Sequence, residues 1–172
     1  MIPDWVQTYT GKKFSFRKLD VDNIDIVDIA HALSNICRFN GHCKKFYSVA
    51  EHSIYISKNC FDDLKLWGLL DDAAEAYIGD VVRPIKKYMF DYNNLEKSLM
   101  DLIVEKFNLF PKERPNEIVE IDNRILVSER DQIMSYSPDD WGLNYKPIDI
   151  IIECWSPEIA EKKFLDRFYE LV

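Results

Sequence analysis

Residues 66–80 read LWGLLDDAAEAYIGD. An apolar run ends in two adjacent aspartates, a third carboxylate follows at Glu75, and a fourth, Asp80, comes just after a glycine. Apolar residues at helical intervals with Gly79 as the stop predict a helix here. On that helix Asp71 and Glu75 are four apart and Asp72 and Glu75 three apart, so all three project within one turn of the same side. Like charges so placed repel. A solvated acidic face is the plainer reading, and the helix alone favours it. Leu69, Leu70, Ala73 and Ala74 leave such a helix little other surface with which to hold itself down. The alternative is therefore a half-buried site in which a cation relieves the repulsion.

Working outward, the neighbouring segments are helical too. Ile26, Ile29, Ala30 and Leu33 recur at helical spacing and the pattern runs to Ile36 and Cys37 before Asn40-Gly41 stops it. Ser48 followed three residues later by Glu51 is a capping box opening a second helix toward Asn59. After the quoted helix, Asn93 or Asn94 can cap a fourth, with Leu95, Leu99, Leu102, Ile103 and Phe107 inward. A fifth is expected from about Asn116 to Met134, and a sixth from Ser156-Pro157-Glu158 to the C-terminus. The stretch between them reads as loop, with a short extended piece at Ile148 to Ile152. Near the N-terminus, WVQTYTGKKFSF sets β-formers on either side of Thr10-Gly11 and predicts a small hairpin. The class is all-α, a helical bundle with a minor N-terminal β-hairpin, in a single domain over residues 1–172.

The 172 residues suffice for one well-buried core. A net charge of -8 argues against sequence-independent binding to a nucleic-acid polymer, which depends on lysine and arginine displacing counterions. Cys37, Cys43, Cys60 and Cys154 form no CxxC pair, and MIPDW opens no apolar leader, so reduced thiols and a cytoplasmic location are expected. Every apolar run is broken well short of the ~20 residues a bilayer span needs, so no membrane partner is expected.

Two further positions draw notice. His52, one of three histidines with His31 and His42, sits among Val49, Ala50 and Ile54, where an imidazole serves as a ligand or, more commonly, as a hydrogen-bonded core residue. Asp122 sits amid Val119, Ile121, Ile125 and Leu126, where a metal or an arginine would relieve an otherwise costly buried carboxylate.

Taken together, RFNGH, SVAEHS, LLDDAAEAYIGDVVRPIK and EIDNRIL resemble the motifs of the HD-domain metal-dependent phosphohydrolases, in particular small phage and bacterial members acting on deoxynucleotides. The resemblance spans most of the chain, from PDWVQTYTG to the helix bearing Asp122. It implies an HD-domain helical bundle and a divalent metal cofactor, Zn, Co, Mn or Mg. The family's metal ligands fall on His52, Asp71, Asp72 and Asp122, its catalytic carboxylates on Glu75 and Asp80, and its phosphate contacts on Arg38, Lys86 and His42. Members of that family carry histidine where this chain has Asp71, so the HD doublet reads Asp71-Asp72. A carboxylate there moves the ligand set toward harder ions.

The implied activity is a deoxynucleotide phosphohydrolase of the dATP triphosphohydrolase type, impaired by Asp71. Alternatives are a 5'-deoxynucleotidase acting on monophosphates and a degenerate module that binds nucleotides without turnover. Homo-oligomers, and the host cytoplasm for a phage-encoded chain, follow from the same analogy. A base would meet Phe39, Tyr77 or Trp5, although aromatic residues are first of all core candidates. A structural zinc site on Cys37, His42, Cys43 and His52 is the remaining alternative, with loose spacing.

Overall fold

The computed structural model describes residues 4–172; residues 1–3, the start of MIPDW, lie outside the described residues. Two short strands, β1 (Trp5–Gln7) and β2 (Lys13–Ser15), pair antiparallel with Val6 opposite Phe14. Among the described residues eight α-helices follow: α1 (Ile26–Asn35), α2 (Val49–Asn59), α3 (Lys65–Leu70), α4 (Glu75–Ile78), α5 (Arg83–Lys86), α6 (Phe90–Lys106), α7 (Asn116–Ile133) and α8 (Pro157–Leu171). The helical bundle with a minor hairpin is thus present.

Helix α2 is the axis of the fold. Every residue from Val49 to Ser57 is buried, and α1, α3, α7 and α8 all pack on it. Such a helix cannot show a narrow apolar stripe, because it has no solvent face. Where α3 crosses it the backbones nearly touch: a Cβ added at Gly68 would lie 2.7 Å from Cys60 Sγ and 3.0 Å from Ile56 Cγ2. Glycine at 68 is therefore a spacing requirement. The hairpin is fastened at two points. Phe14 enters the core and stacks on Tyr77, centroids 4.2 Å apart, and Asp28 of α1 accepts from Thr10 N at 2.7 Å and Thr10 Oγ1 at 3.0 Å.

Ser48 caps α2 as expected, accepting from Glu51 N at 3.1 Å. Glu51 does not complete the capping box. Its carboxylate turns away to collect the backbone N–H groups of Glu153 (3.1 Å), Cys154 (3.0 Å) and Trp155 (2.7 Å) and the Tyr55 hydroxyl (2.9 Å). One buried acid thereby holds the chain leading into α8.

Three expectations need correction. The helix over residues 66–80 is not continuous: α3 ends at Leu70, and the chain passes through tight turns, with Ala73 N bonding Leu70 O and Glu75 N bonding Asp72 O, before α4. Residues three apart eclipse one another in such i→i+3 turns, which brings Asp72 and Glu75 onto one edge. The fourth helix starts at Phe90, ahead of Asn93. That asparagine spends its side-chain amide on Lys86 O at 2.9 Å, tying α6 to α5 instead of capping. Finally, no strand forms at 148–152. Ser128 and Gln132 of α7 satisfy the backbone there, Ser128 Oγ with Ile148 N at 3.0 Å and Gln132 with Ile150 O at 2.8 Å and Ile152 N at 3.0 Å. With those groups already paired, no ladder partner is needed. No helix among the described residues is long and apolar enough to cross a membrane.

Candidate functional site

The broken α3–α4 segment, the N-terminal half of α7, the turn after α1 and the start of α5 surround a cavity of about 870 Å³. Of the residues expected at a site, Arg38, Asp71, Asp72, Glu75, Asp80, Lys86 and Asp122 all line it. His52 of α2 is fully buried behind two of these lining residues: its Nε2 lies 3.5 Å from Asp72 Oδ2 and 3.3 Å from Asp122 Oδ1. His42 is not brought in; it is exposed at the end of the turn over residues 38–41 and lines no wall of the cavity.

The other ring nitrogen of His52 shows how the imidazole is held. Nδ1 meets Glu129 Oε1 at 2.6 Å, and Glu129, fully buried on α7, also accepts from the Tyr47 hydroxyl at 2.8 Å and Arg38 NH2 at 3.1 Å. Burial and nearby Arg38 push the His52 pKa down, but Glu129 and Asp122 outweigh them and raise it to about 9. Glu129, pushed up by burial, is pulled down to about 2 by Arg38 and His52. Its position was legible: it lies seven residues after Asp122, on the same face as Ile125 and Ile133, and so two turns along the same inward stripe.

The arginine alternative for Asp122 holds in this structure. Arg83 NH2 donates to Asp122 Oδ2, and Arg114 NH2 lies 3.2 Å from the same oxygen. Arg114 also grips Asp71 with a two-pronged fork, Nε to Oδ1 at 2.7 Å and NH2 to Oδ2. Asp71 is nevertheless lifted to about 7, because burial and the carboxylates of Asp72 and Asp122 act against the guanidinium. Neither arginine was singled out from sequence. Arg83 lies inside the quoted VVRPIK, whereas Arg114 sits in the loop KERP with nothing local to mark it.

Glu75 is raised well above the usual carboxylate range, first by burial and then by Asp72 and Asp80. Its Oε1 meets Lys86 Nζ at 3.3 Å, and Lys86 also binds Glu96 at 2.6 Å. Asp80 is raised likewise, mainly by burial. Buried polar atoms without a hydrogen-bond partner among the described residues are few: Ser34 Oγ, Arg38 Nε, His52 Nε2 and Glu75 Oε2. Three of these four belong to the site, which is where a ligand would complete them. The turn carrying Arg38 holds Phe39 and Asn40 at φ 55° and 51°, a left-handed conformation that costs ~1–2 kcal/mol per residue and marks a constrained segment. Of the expected base contacts, Phe39 lines the cavity and approaches Trp141 with centroids 6.1 Å apart. Tyr77 packs on Phe14, and Trp5 lies in the hairpin under Lys13.

Among the described residues, no group of three or more His, Cys, Asp or Glu side chains is arranged as a ready cage for a metal. The four-ligand set does not fit, because Asp71 is committed to Arg114. The remnant of His52, Asp72 and Asp122 fits in donor chemistry only, with Asp122 Oδ2 already held by Arg83 and Arg114: with Nδ1–H given to Glu129, His52 Nε2 faces Asp72 Oδ2 and the other Asp122 oxygen, an arrangement that calls for a proton or a cation between them. The zinc alternative is disfavoured by the same contacts. Cys37 and Cys43 sulfurs lie 3.6 Å apart, but His52 is occupied elsewhere.

No protein-family model matches the chain. The chain is 41% identical over 171 residues to the uncharacterized protein YfdR of Escherichia coli (strain K12), covering 97% of this chain and 95% of that protein. It is 32% identical over 91 residues to an uncharacterized protein of Rhodobacter capsulatus, covering 48% of this chain and 46% of that one.

Proposed function

The chain belongs to the family of the Escherichia coli protein YfdR. From the site and the HD-domain resemblance we propose that it is a divalent-cation-dependent phosphohydrolase acting on deoxynucleotides. The observation that carries the reading is the approach of His52 Nε2, with no hydrogen-bond partner, to Asp72 and Asp122, which line a cavity that Arg38 and Lys86 also line. The substrate class rests on the HD-domain resemblance, with a dATP-type triphosphohydrolase as the first form and a monophosphate nucleotidase as the second. The cavity volume lies within the range of small-molecule sites.

A divalent ion bound by His52, Asp72 and Asp122 would acidify a water and neutralise phosphoryl oxygens. The remaining chemistry belongs to the chain. Glu75, whose Oε2 has no hydrogen-bond partner and whose proton affinity is raised by burial and by Asp72 and Asp80, is placed to take a proton from water. Asp80 reinforces that by its charge. Arg38 has an unpaired Nε for an anionic oxygen, and Lys86 supplies a second cation between Glu75 and Glu96. Glu129 fixes the His52 ring from behind.

The Asp71–Arg114 fork favours a second reading, a nucleotide-binding module with reduced or absent turnover. Product analysis tests both. The chain and Asp71→His are incubated with the four common deoxynucleoside triphosphates and monophosphates across Mg, Mn, Co and Zn. Deoxynucleoside with intact triphosphate from either form supports the triphosphohydrolase, and phosphate released from monophosphates supports the nucleotidase. Nucleotide binding with no product from either form supports the module, and neither binding nor product refutes the proposal.

A further inference from the structure

Asp71, Asp72 and Asp122 place three carboxylates about one end of the cavity, with Glu75 and Asp80 beyond them. Such a group is stable only if cations are close. The chain supplies them itself. Arg114 reaches in from the loop before α7, a loop held in place by Trp67 Nε1 donating to Pro111 O at 2.9 Å. It takes both Asp71 oxygens in a planar fork and brings the same NH2 to within 3.2 Å of Asp122 Oδ2. The Asp71 side chain is only 2% exposed while that of Arg114 is 40% exposed, so the cation enters from the solvent side onto a buried anion.

This arrangement bears on any divalent ion at the site. Asp122 is the carboxylate common to both cations: Oδ1 faces His52, and Oδ2 faces Arg83 and Arg114. A guanidinium and a metal ion on opposite oxygens of one carboxylate repel each other and divide its electron density. Asp71 has both oxygens in the fork, so a metal ion on either of them would sit beside the guanidinium and meet its positive charge.

We propose that Arg114 is a chain-borne cation that occupies the Asp71 corner of the site, keeps Asp71 from binding metal, and lowers the affinity of the site for divalent ions. The inference rests on the site assignment of the preceding subsection but not on hydrolysis. It assigns Arg114 a competitive role, so removing its charge frees Asp71 and leaves Asp122 with Arg83 as its remaining arginine.

The test is calorimetric titration of Mn2+ into the metal-depleted full chain, compared with Arg114→Gln and Arg114→Lys, with melting temperatures recorded in chelator and in Mn2+. Arg114→Gln is expected to bind Mn2+ at least tenfold more tightly than the unsubstituted chain and to gain more in melting temperature from Mn2+. Arg114→Lys, which keeps the charge but loses the fork, should fall between the two. Equal or weaker Mn2+ binding by Arg114→Gln overturns the proposal. If that variant does not fold in chelator, Arg114→Lys decides: tighter binding than the unsubstituted chain supports the competition, and unchanged or weaker binding overturns it. A gain in affinity without hydrolysis products from any form sustains this inference while removing the phosphohydrolase reading. Hydrolysis with no gain in affinity does the reverse.

Discussion

Replacing Glu129 by Gln should unfold much of what holds the site together, and the size of the effect follows from its contacts. The carboxylate is fully buried and accepts from His52 at 2.6 Å, Tyr47 at 2.8 Å and Arg38 at 3.1 Å. Glutamine keeps the shape but removes the charge, which leaves Arg38, 11% exposed in its side chain, with Asp72 at 3.8 Å as its remaining ion-pair partner among the described residues. Breaking a buried pair from one side costs ~3–5 kcal/mol. There is also a pH signature. His52 has a folded pKa of about 9 against an ordinary 6.5. Its contribution is therefore fully present below pH 6.5 and is lost as pH rises through 9. A shift of that size corresponds to roughly 3 kcal/mol. Glu129, held near 2, runs the other way: its contribution is present above its ordinary value of 4.5 and is lost as pH falls toward 2. Denaturant unfolding followed by tryptophan fluorescence at pH 6, 7.5 and 9.5 measures both effects. The unsubstituted chain should lose stability between pH 6.5 and 9.5 more steeply than Glu129→Gln, and the variant should be several kcal/mol weaker at pH 6. A deficit under 1 kcal/mol, with parallel pH curves, would refute the coupling of His52 to Glu129.

Other perturbations read other parts of the molecule. Asp71→Asn removes a carboxyl whose folded pKa, about 7, lies above its ordinary 3.8. The unsubstituted chain should therefore lose stability from pH 4 to 7 where the variant loses less, and identical slopes in acid titrations of the two would contradict that. Glu51→Gln weakens the hold on three backbone amides, so hydrogen exchange at Glu153, Cys154 and Trp155 should accelerate by at least tenfold, about 1.4 kcal/mol. Unchanged protection by NMR would show that the segment is held elsewhere. Phe14→Ala empties a buried position stacked on Tyr77 and should cost ~3–5 kcal/mol in denaturant unfolding. A cost below 1 kcal/mol would mean that the hairpin is dispensable to the core.

The helices of the bundle were legible because their signals are local. The cap at Ser48, the proline at Pro157 and the apolar spacing of α7 each lie within a few residues of the structure they specify. The break after Leu70 was not legible, because Asp71 and Ala74 keep right-handed helical backbone angles and only the hydrogen-bond pattern tightens. At the site, the aspartates and His52 could be picked out because charge in apolar surroundings is conspicuous. Their partners could not. Arg114 lies 43 residues from Asp71 and Arg83 lies 39 from Asp122, and no short-range pattern tells which arginine will close on which acid. Glu129 stands between these cases: its stripe was readable, but its role depends on where His52 turns its ring.

The close approach at Gly68 has a meaning beyond packing. It stands three positions before Asp71 and four before Asp72, while its neighbour across the contact, Ile56, stands four positions after His52 on α2. The bare glycine thus works as a gauge block: the gap it leaves sets how far the acid-bearing strand of chain stands from the imidazole it faces. Any side chain at that point would widen the gauge by the thickness of a methyl group, so that a residue with no chemistry of its own holds the tolerance to which the chemistry is cut.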